Sequence, residues 1–254
     1  MEMIVAKNYE ELSQISAQMI AEFIQKKQDA VLGLATGSTP VGMYKKLIGY
    51  HNKEGLDFSK IITFNLDEYV GISPNHPQSY HKFMKETFFS HINISTSNIH
   101  IPRGDQPQIE KQCESYEQAI KDAGGIDIQV LGIGSNGHIG FNEPGSSPEE
   151  KTRVVQLTES TIQANARFFG DEALVPRLAI SMGIKTILES SKKIILLASG
   201  EEKANAVQGM IEGEISTQLP ASLLQLHKNV IVIADQPAAK NLKMINKSLN
   251  SVYV

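Results

Sequence analysis

The 254-residue chain has one cysteine, Cys113, no tryptophan and only 6% aromatic residues. A single thiol closes no intrachain disulfide, so a disulfide-built secreted domain is excluded and the fold must rest on packing. A basic excess is missing as well: 24 Lys and Arg against 28 Asp and Glu leave a formal charge of −4. No general positive field exists to hold a nucleic acid, and an anionic ligand needs positive groups gathered locally. The longest uninterrupted aliphatic runs, such as 194–198 and 230–234, fall far short of the roughly 18 apolar residues that cross a bilayer. No membrane segment is expected. The opening residues Met1-Glu2-Met3-Ile4 lack the basic start and apolar stretch of a secretion signal, which makes the cytoplasm the expected location.

What the chain does contain is an ordinary globular composition, 41% hydrophobic and 20% charged. Six short apolar runs recur, at 30–35, 61–66, 126–133, 178–182, 193–198 and 230–234. Most are continuous Val, Ile and Leu rather than alternating, as strands covered on both faces of a parallel sheet require. Helical patterns lie between them. Asn8 with Glu11 resembles a capping box ahead of Leu12, Ile15, Met19, Ile20 and Phe23. A second helix is expected to start at Thr39-Pro40, with Val41, Tyr44, Leu47 and Ile48 on one face. Strands alternating with helices imply βαβ crossovers and a three-layer α/β/α sandwich. With no repeat or linker, residues 1–254 are expected to form a single domain. The irregular stretch 142–156, with Pro144, Gly145, Ser146, Ser147 and Pro148, suggests a binding loop or a lid around 145–170.

In open α/β sheets ligands bind beyond the carboxyl ends of the strands, so the residues that follow each run carry the functional signal. After the first run, Thr36, Gly37, Ser38 and Thr39 lead into a helix N-terminus, where backbone N–H groups favour phosphate; a plain N-cap by Thr39 is the alternative. After the second come Asp67 and Glu68. Successive strand residues point oppositely, so at most one of them faces a ligand, and a solvated turn would account for both. The third edge is Gly132-Ile133-Gly134-Ser135-Asn136-Gly137-His138-Ile139-Gly140-Phe141-Asn142-Glu143-Pro144. Its glycines match GxGxxG, but no acid follows about 20 residues later to hold a ribose, so a dinucleotide site is excluded. The glycines instead allow close backbone approach to a ligand, beside a histidine able to move protons near neutral pH and an acid, Glu143, placed to orient it. At the fourth edge Lys203 lies in the first turn of a helix, where a cation opposes the dipole unless an anion offsets it. A solvated lysine is the alternative, as a surface arginine is for Arg167, at the end of a later helix.

Taken together, Ala35-Thr36-Gly37-Ser38-Thr39-Pro40, Phe64-Asn65-Leu66-Asp67-Glu68-Tyr69, the stretch ending Phe141-Asn142-Glu143-Pro144, and Asn165-Ala166-Arg167-Phe168-Phe169 closely resemble the glucosamine-6-phosphate deaminase family, in order and over nearly the whole chain. The resemblance implies a modified Rossmann-like fold and an enzyme of amino-sugar catabolism. Such an enzyme converts glucosamine 6-phosphate and water to fructose 6-phosphate and ammonia without a metal or other cofactor. It implies that His138 assists opening of the pyranose ring and that Asp67 moves the proton from carbon 2 to carbon 1. Glu143 would orient His138. The phosphate would lie on Thr36, Gly37, Ser38 and Thr39, with Gly137 in the neighbouring loop and Arg167 and Lys203 closing the clamp. Many members carry Asp where this chain has Asn136, and a neutral amide orients a histidine without adding negative charge.

The 6-phosphogluconolactonases share the fold and the phosphate loop, but typically read Asp-Glu-Arg where this chain has Asp67-Glu68-Tyr69, and a Leu-Phe-Pro segment in place of Asn142-Glu143-Pro144. A non-catalytic sugar-phosphate sensor would carry a helix-turn-helix ahead of the domain, and only one helix pattern precedes the run at 30–35. The resemblance leaves a monomer and a homo-oligomer both open. Some members answer to N-acetylglucosamine 6-phosphate through two cations after Asn-Glu-Pro. Here one is Arg153 and the other position holds Val155, so no response to that compound is expected.

Overall fold

A computed structural model describes residues 1–243, apart from the side chains of Ser160, Ala164 and Phe168. Its elements run β1 (Glu2–Ala6), α1 (Tyr9–Lys26), β2 (Val31–Leu34), α2 (Val41–Glu54), β3 (Ile62–Asn65), β4 (Asp67–Tyr69), α3 (Tyr80–Thr87), β5 (Ile99–His100) and α4 (Ile109–Asp122). They continue β6 (Ile126–Gly132), β7 (Arg153–Gln156), α5 (Glu159–Phe169), β8 (Leu178–Ser181), α6 (Ile184–Ser190), β9 (Ser191–Ala198), α7 (Ala204–Glu212), β10 (Val230–Asp235) and α8 (Gln236–Ala239).

Local chemistry sets several of these boundaries. The Asn8 side chain accepts from the Glu11 N–H at 3.0 Å, and Glu11 reaches back to the Lys7 N–H, so the start of α1 is fixed by reciprocal capping. At α2 the N-cap is Pro40 with no side-chain cap, one residue later than a Thr39 cap would place it. The N–H groups that a Thr39 cap would satisfy are taken elsewhere, Gly42 donating to the Tyr9 hydroxyl at 2.7 Å and Val41 to the Ser38 carbonyl at 3.3 Å, which leaves Thr39 in the preceding loop.

Seven strands form one parallel sheet in the order β1-β10-β9-β6-β2-β3-β5. From β2 the chain runs outward through β3 to β5, then crosses back to continue through β6 on the other side. The loops leaving β2 and β6 therefore part in opposite directions and open a crevice at the carboxyl edge. Both faces of the sheet are covered. Leu131, Leu196 and Val232 pack with Ile187 of α6 and Val207 of α7, whereas Val130, Ile195 and Ile233 pack with Ile20 of α1 and Tyr44 of α2. This is the three-layer α/β/α sandwich that the continuous apolar runs anticipate.

One run behaves differently. Residues 178–182 do not join the parallel sheet; β8 lies in a separate antiparallel sheet of order β4-β8-β7, with Asp67, Glu68 and Tyr69 opposite Ser181, Ile180 and Ala179. A short apolar run reports burial but not pairing direction. β8 is buried against a third small core of Tyr69, Phe141, Leu157, Ile162 and Val175 beneath α5. β4, β5 and β7 have no counterpart among the six runs, because each is short or polar; β1, an edge strand of sequence Glu2-Met3-Ile4-Val5-Ala6, has none either and is missed although four of its five residues are apolar.

Candidate active site

A cavity of about 400 Å³ fills the crevice at the carboxyl edge. Thr36, Gly37, Ser38 and Thr39 line it from the loop after β2, Asp67 from β4, His138 from the loop after β6, Arg167 from α5, and Lys203 from the turn before α7. Eight residues singled out from the sequence thus meet around one space. Three others are set back from the wall: Asn136 and Glu143 stand behind His138. Gly137 serves the loop itself, its carbonyl accepting the Ala221 N–H at 2.8 Å.

One end of the cavity suits an anion. Among the described residues, the backbone N–H groups of Thr36, Gly37, Ser38 and Thr39 donate to no protein acceptor, and they lie just before the first turn of α2. Lys203 occupies the N-cap position of α7 without a side-chain cap bond, and its ammonium forms no ion pair among the described residues. Unpaired amides, a cation and the positive end of a helix dipole are the groups that a phosphate satisfies. Arg167, in the last turn of α5, brings a second cation to the cavity lining.

Asp67 lines the same cavity. It is 5% exposed, and among the described residues its carboxylate accepts no hydrogen bond. Burial, and then the neighbouring charge of Glu68, push its carboxyl up to about 8. A carboxylate in that condition is a better base than an exposed one and has a free lone pair for an incoming proton. Glu68, expected in a solvated turn, is instead 2% exposed. It points away from the cavity, as strand alternation demands, and accepts the Tyr69 N–H at 2.9 Å, the Tyr80 N–H at 3.0 Å and the His81 N–H at 3.0 Å.

His138 lies against Gly134, where a methyl group would sit 2.3 Å from the imidazole, so only glycine leaves room for the ring there. Its Nδ1 is 2.7 Å from Asn136 Oδ1, and the Asn136 amide donates to Glu143 Oε2 at 2.8 Å. Glu143 is an acceptor, so it turns the Asn136 NH2 toward itself and the amide oxygen toward the ring. The proton of the neutral imidazole is thereby held on Nδ1, leaving Nε2 as the acceptor. Glu143 thus acts on His138 through Asn136; its own carboxylate is 3.6 Å from Nδ1. Burial alone would raise the Glu143 carboxyl, but the pull of His138, the Thr161 hydroxyl and the Asn136 amide outweigh it and hold the group at about 2.

The structure adds residues that the motifs do not mark. Tyr80, Ser135, Phe141, Thr161 and Asn165 also line the cavity. Tyr80 stacks on Phe141 with ring centroids 6.2 Å apart, and the Thr161 hydroxyl donates to Glu143 Oε1 at 2.5 Å. Tyr80 comes from a helix eleven residues beyond Tyr69, with no strand end to announce it. Thr161 reads as part of the capping of α5, whose N-cap is Thr158.

Comparison with known proteins agrees with this geometry. The sequence profile described as glucosamine-6-phosphate isomerases/6-phosphogluconolactonase matches residues 6–233. Glucosamine-6-phosphate deaminase 2 of Bacillus subtilis (strain 168) is 65% identical over 244 residues, covering 96% of this chain and 98% of that one. The glucosamine-6-phosphate deaminase of Thermoanaerobacter sp. (strain X514) is 55% identical, with 94% of each chain covered. Among solved structures, a monomeric glucosamine-6-phosphate deaminase superposes with a TM-score of 0.92 at 52% identity, over 95% of this chain and 100% of that one. The 6-phosphogluconolactonase of Trypanosoma brucei superposes with a TM-score of 0.76 at 19% identity, over 95% and 98%, a likeness of fold alone. With its sheet, its crevice and its sequence in agreement, the chain belongs to the glucosamine-6-phosphate isomerase/6-phosphogluconolactonase family.

Proposed function

We propose that this chain is a glucosamine-6-phosphate deaminase, converting glucosamine 6-phosphate and water to fructose 6-phosphate and ammonia in the cytoplasm. The observation that carries the reading is Asp67, a buried carboxylate that accepts no hydrogen bond among the described residues and that lines one cavity together with a set of groups suited to phosphate. The phosphate rests on the amides of Thr36, Gly37, Ser38 and Thr39 and is clamped by Lys203 and Arg167. This fixes the sugar so that its first two carbons reach the other end. His138, with Nε2 free to accept, removes the proton of the anomeric hydroxyl as the ring opens. Asp67 then takes the proton from carbon 2 and returns it to carbon 1. The double bond passes through an enolamine to the ketose imine, and water replaces the nitrogen at carbon 2 to release ammonia.

The chemistry needs water excluded from the base while the carbon acid ionises. The segment 145–170 is suited to act as a lid: its helix α5 presents Thr161, Asn165 and Arg167 to the cavity. The deciding experiment incubates the purified protein with glucosamine 6-phosphate and assays ammonia and fructose 6-phosphate. Absence of both products, or hydrolysis of 6-phosphogluconolactone in their place, rejects the assignment.

A further inference from the structure

Beside the catalytic carboxylate lies a second, fully engaged one. Glu68 follows Asp67 on β4 and points to the other side of the strand. Its Oε1 accepts from the Tyr69 and Tyr80 N–H groups, and its Oε2 accepts from the His81 N–H. The His81 Nδ1 is 2.9 Å from the same Oε2, and since both oxygens are acceptors the ring places a proton on Nδ1. Four donors converge on one carboxylate that is 2% exposed. Two of them are the first N–H groups of α3, so Glu68 ties the strand carrying Asp67 to the helix carrying Tyr80.

The other side of this corner is also closed. The Gly71 N–H donates to the Gly104 carbonyl at 2.9 Å, and a Cβ on Gly104 would stand 2.0 Å from the Tyr69 carbonyl oxygen. β4 is only three residues long and pairs along one edge with β8, the Leu66 carbonyl and Val70 N–H extending that pairing at its two ends. α3 and the loop around Gly104 supply the ties that β8 does not.

We propose that Glu68, locked by His81, is a positioning residue for Asp67: it fixes the short strand bearing the base against the aromatic wall of the cavity and keeps a second negative charge beside it. The inference rests on Asp67 being the base of the proposed reaction. The charged and titratable groups around the pair are His81 on α3, Tyr69 on β4, Tyr80 on α3 and Tyr116 on α4, the tyrosines each feeling the charge of Asp67. From the cavity side His138, Lys203 and Arg167 share the space with Asp67, while Glu68 is the charge adjoining it on the strand.

Three variants test this. In Glu68→Gln the charge is lost at constant shape. The expected result is a kcat reduced about tenfold to a hundredfold with KM little changed, and a rising limb of the rate-against-pH curve displaced to lower pH. In His81→Leu the charge stays but the clamp is cut: kcat falls and the limb does not move down. His81→Asn, whose amide reaches the Nδ1 position, restores most of the lost rate. A 13C-carboxyl titration of Asp67 by NMR, in the wild type and in Glu68→Gln, reads the same coupling without turnover. An inactive wild type would count against the deaminase assignment. A Glu68→Gln protein with the wild-type Asp67 titration counts against the present inference. If Glu68→Gln does not fold, the His81 pair decides, and a His81→Leu enzyme with wild-type kcat overturns the proposal.

Discussion

His138 Nδ1 stands 2.7 Å from Asn136 Oδ1, so the ring is oriented by a neutral amide and not by direct contact with a carboxylate. Removing that amide frees the tautomer and the ring orientation while leaving Glu143 too far to substitute, at 3.6 Å. Asn136→Leu is expected to lower kcat/KM for glucosamine 6-phosphate by about tenfold to a hundredfold. On a 5-deoxy analogue of glucosamine 6-phosphate, which cannot close a pyranose ring and so needs no ring opening, the loss should be smaller. Equal losses on the two substrates would remove ring opening from the work of His138.

The position of Asp67 sets two pH effects. Its basic form is the anion, so kcat/KM should rise as pH rises through about 8. Stability should move the other way. The folded-state carboxyl titrates far above an unfolded aspartate, so the unfolded chain releases the proton first, and folding stability falls between roughly pH 4 and 8. Asp67→Asn removes that penalty. The variant should lose about a thousandfold in kcat with KM nearly unchanged, yet melt at higher temperature than wild type at pH 9, with the two converging near pH 4. Melting curves at the two pH values check it, and a less stable variant at pH 9 would contradict the buried, unpaired carboxylate.

Lys203 and Arg167 are assigned to the phosphate and not to the carbons that react. Lys203→Met should therefore raise KM about tenfold or more while kcat stays within a factor of about three. Initial rates over a range of substrate concentrations separate the two constants. A loss confined to kcat would move Lys203 from the phosphate to the chemistry.

How much of this was legible beforehand differs from residue to residue. The parallel sheet was, since runs such as 194–198 are apolar on both faces and only a doubly covered strand tolerates that. The direction of β8 was not, because Leu178, Ala179 and Ile180 read the same in either pairing. Asp67 could be picked out as a strand-end acid, but nothing local distinguished it from Glu68. Their partners separate them: among the described residues one carboxylate accepts no hydrogen bond and the other accepts four. The Asn136 link was hidden for a similar reason, since an amide's direction is set by Glu143, seven residues on.

Arg153 bears on regulation. Its guanidinium donates to Asn142 Oδ1 at 2.9 Å and pairs with Glu150, while Val155, at the second cation position, packs into the small core beneath α5. An anion arriving there would have to displace Glu150 with one cation in place of two. Initial rates are expected to be hyperbolic in glucosamine 6-phosphate and unchanged by N-acetylglucosamine 6-phosphate. A sigmoidal curve that the compound renders hyperbolic would refute this.

The order of the large sheet carries a consequence for how the molecule assembles. β1 pairs in parallel with β10, Glu2 beside Ile231 and Ala6 beside Asp235, so the first strand made waits for nearly the last. Until β10 arrives, the outward edge of β9 and the inward edge of β1 both stand open, and neither has another partner in this topology. Contacts this distant in sequence form slowly, and open edges invite pairing between chains. Refolding yield should therefore fall steeply with protein concentration, and interrupting the chain before residue 230 should give aggregate instead of a smaller working enzyme.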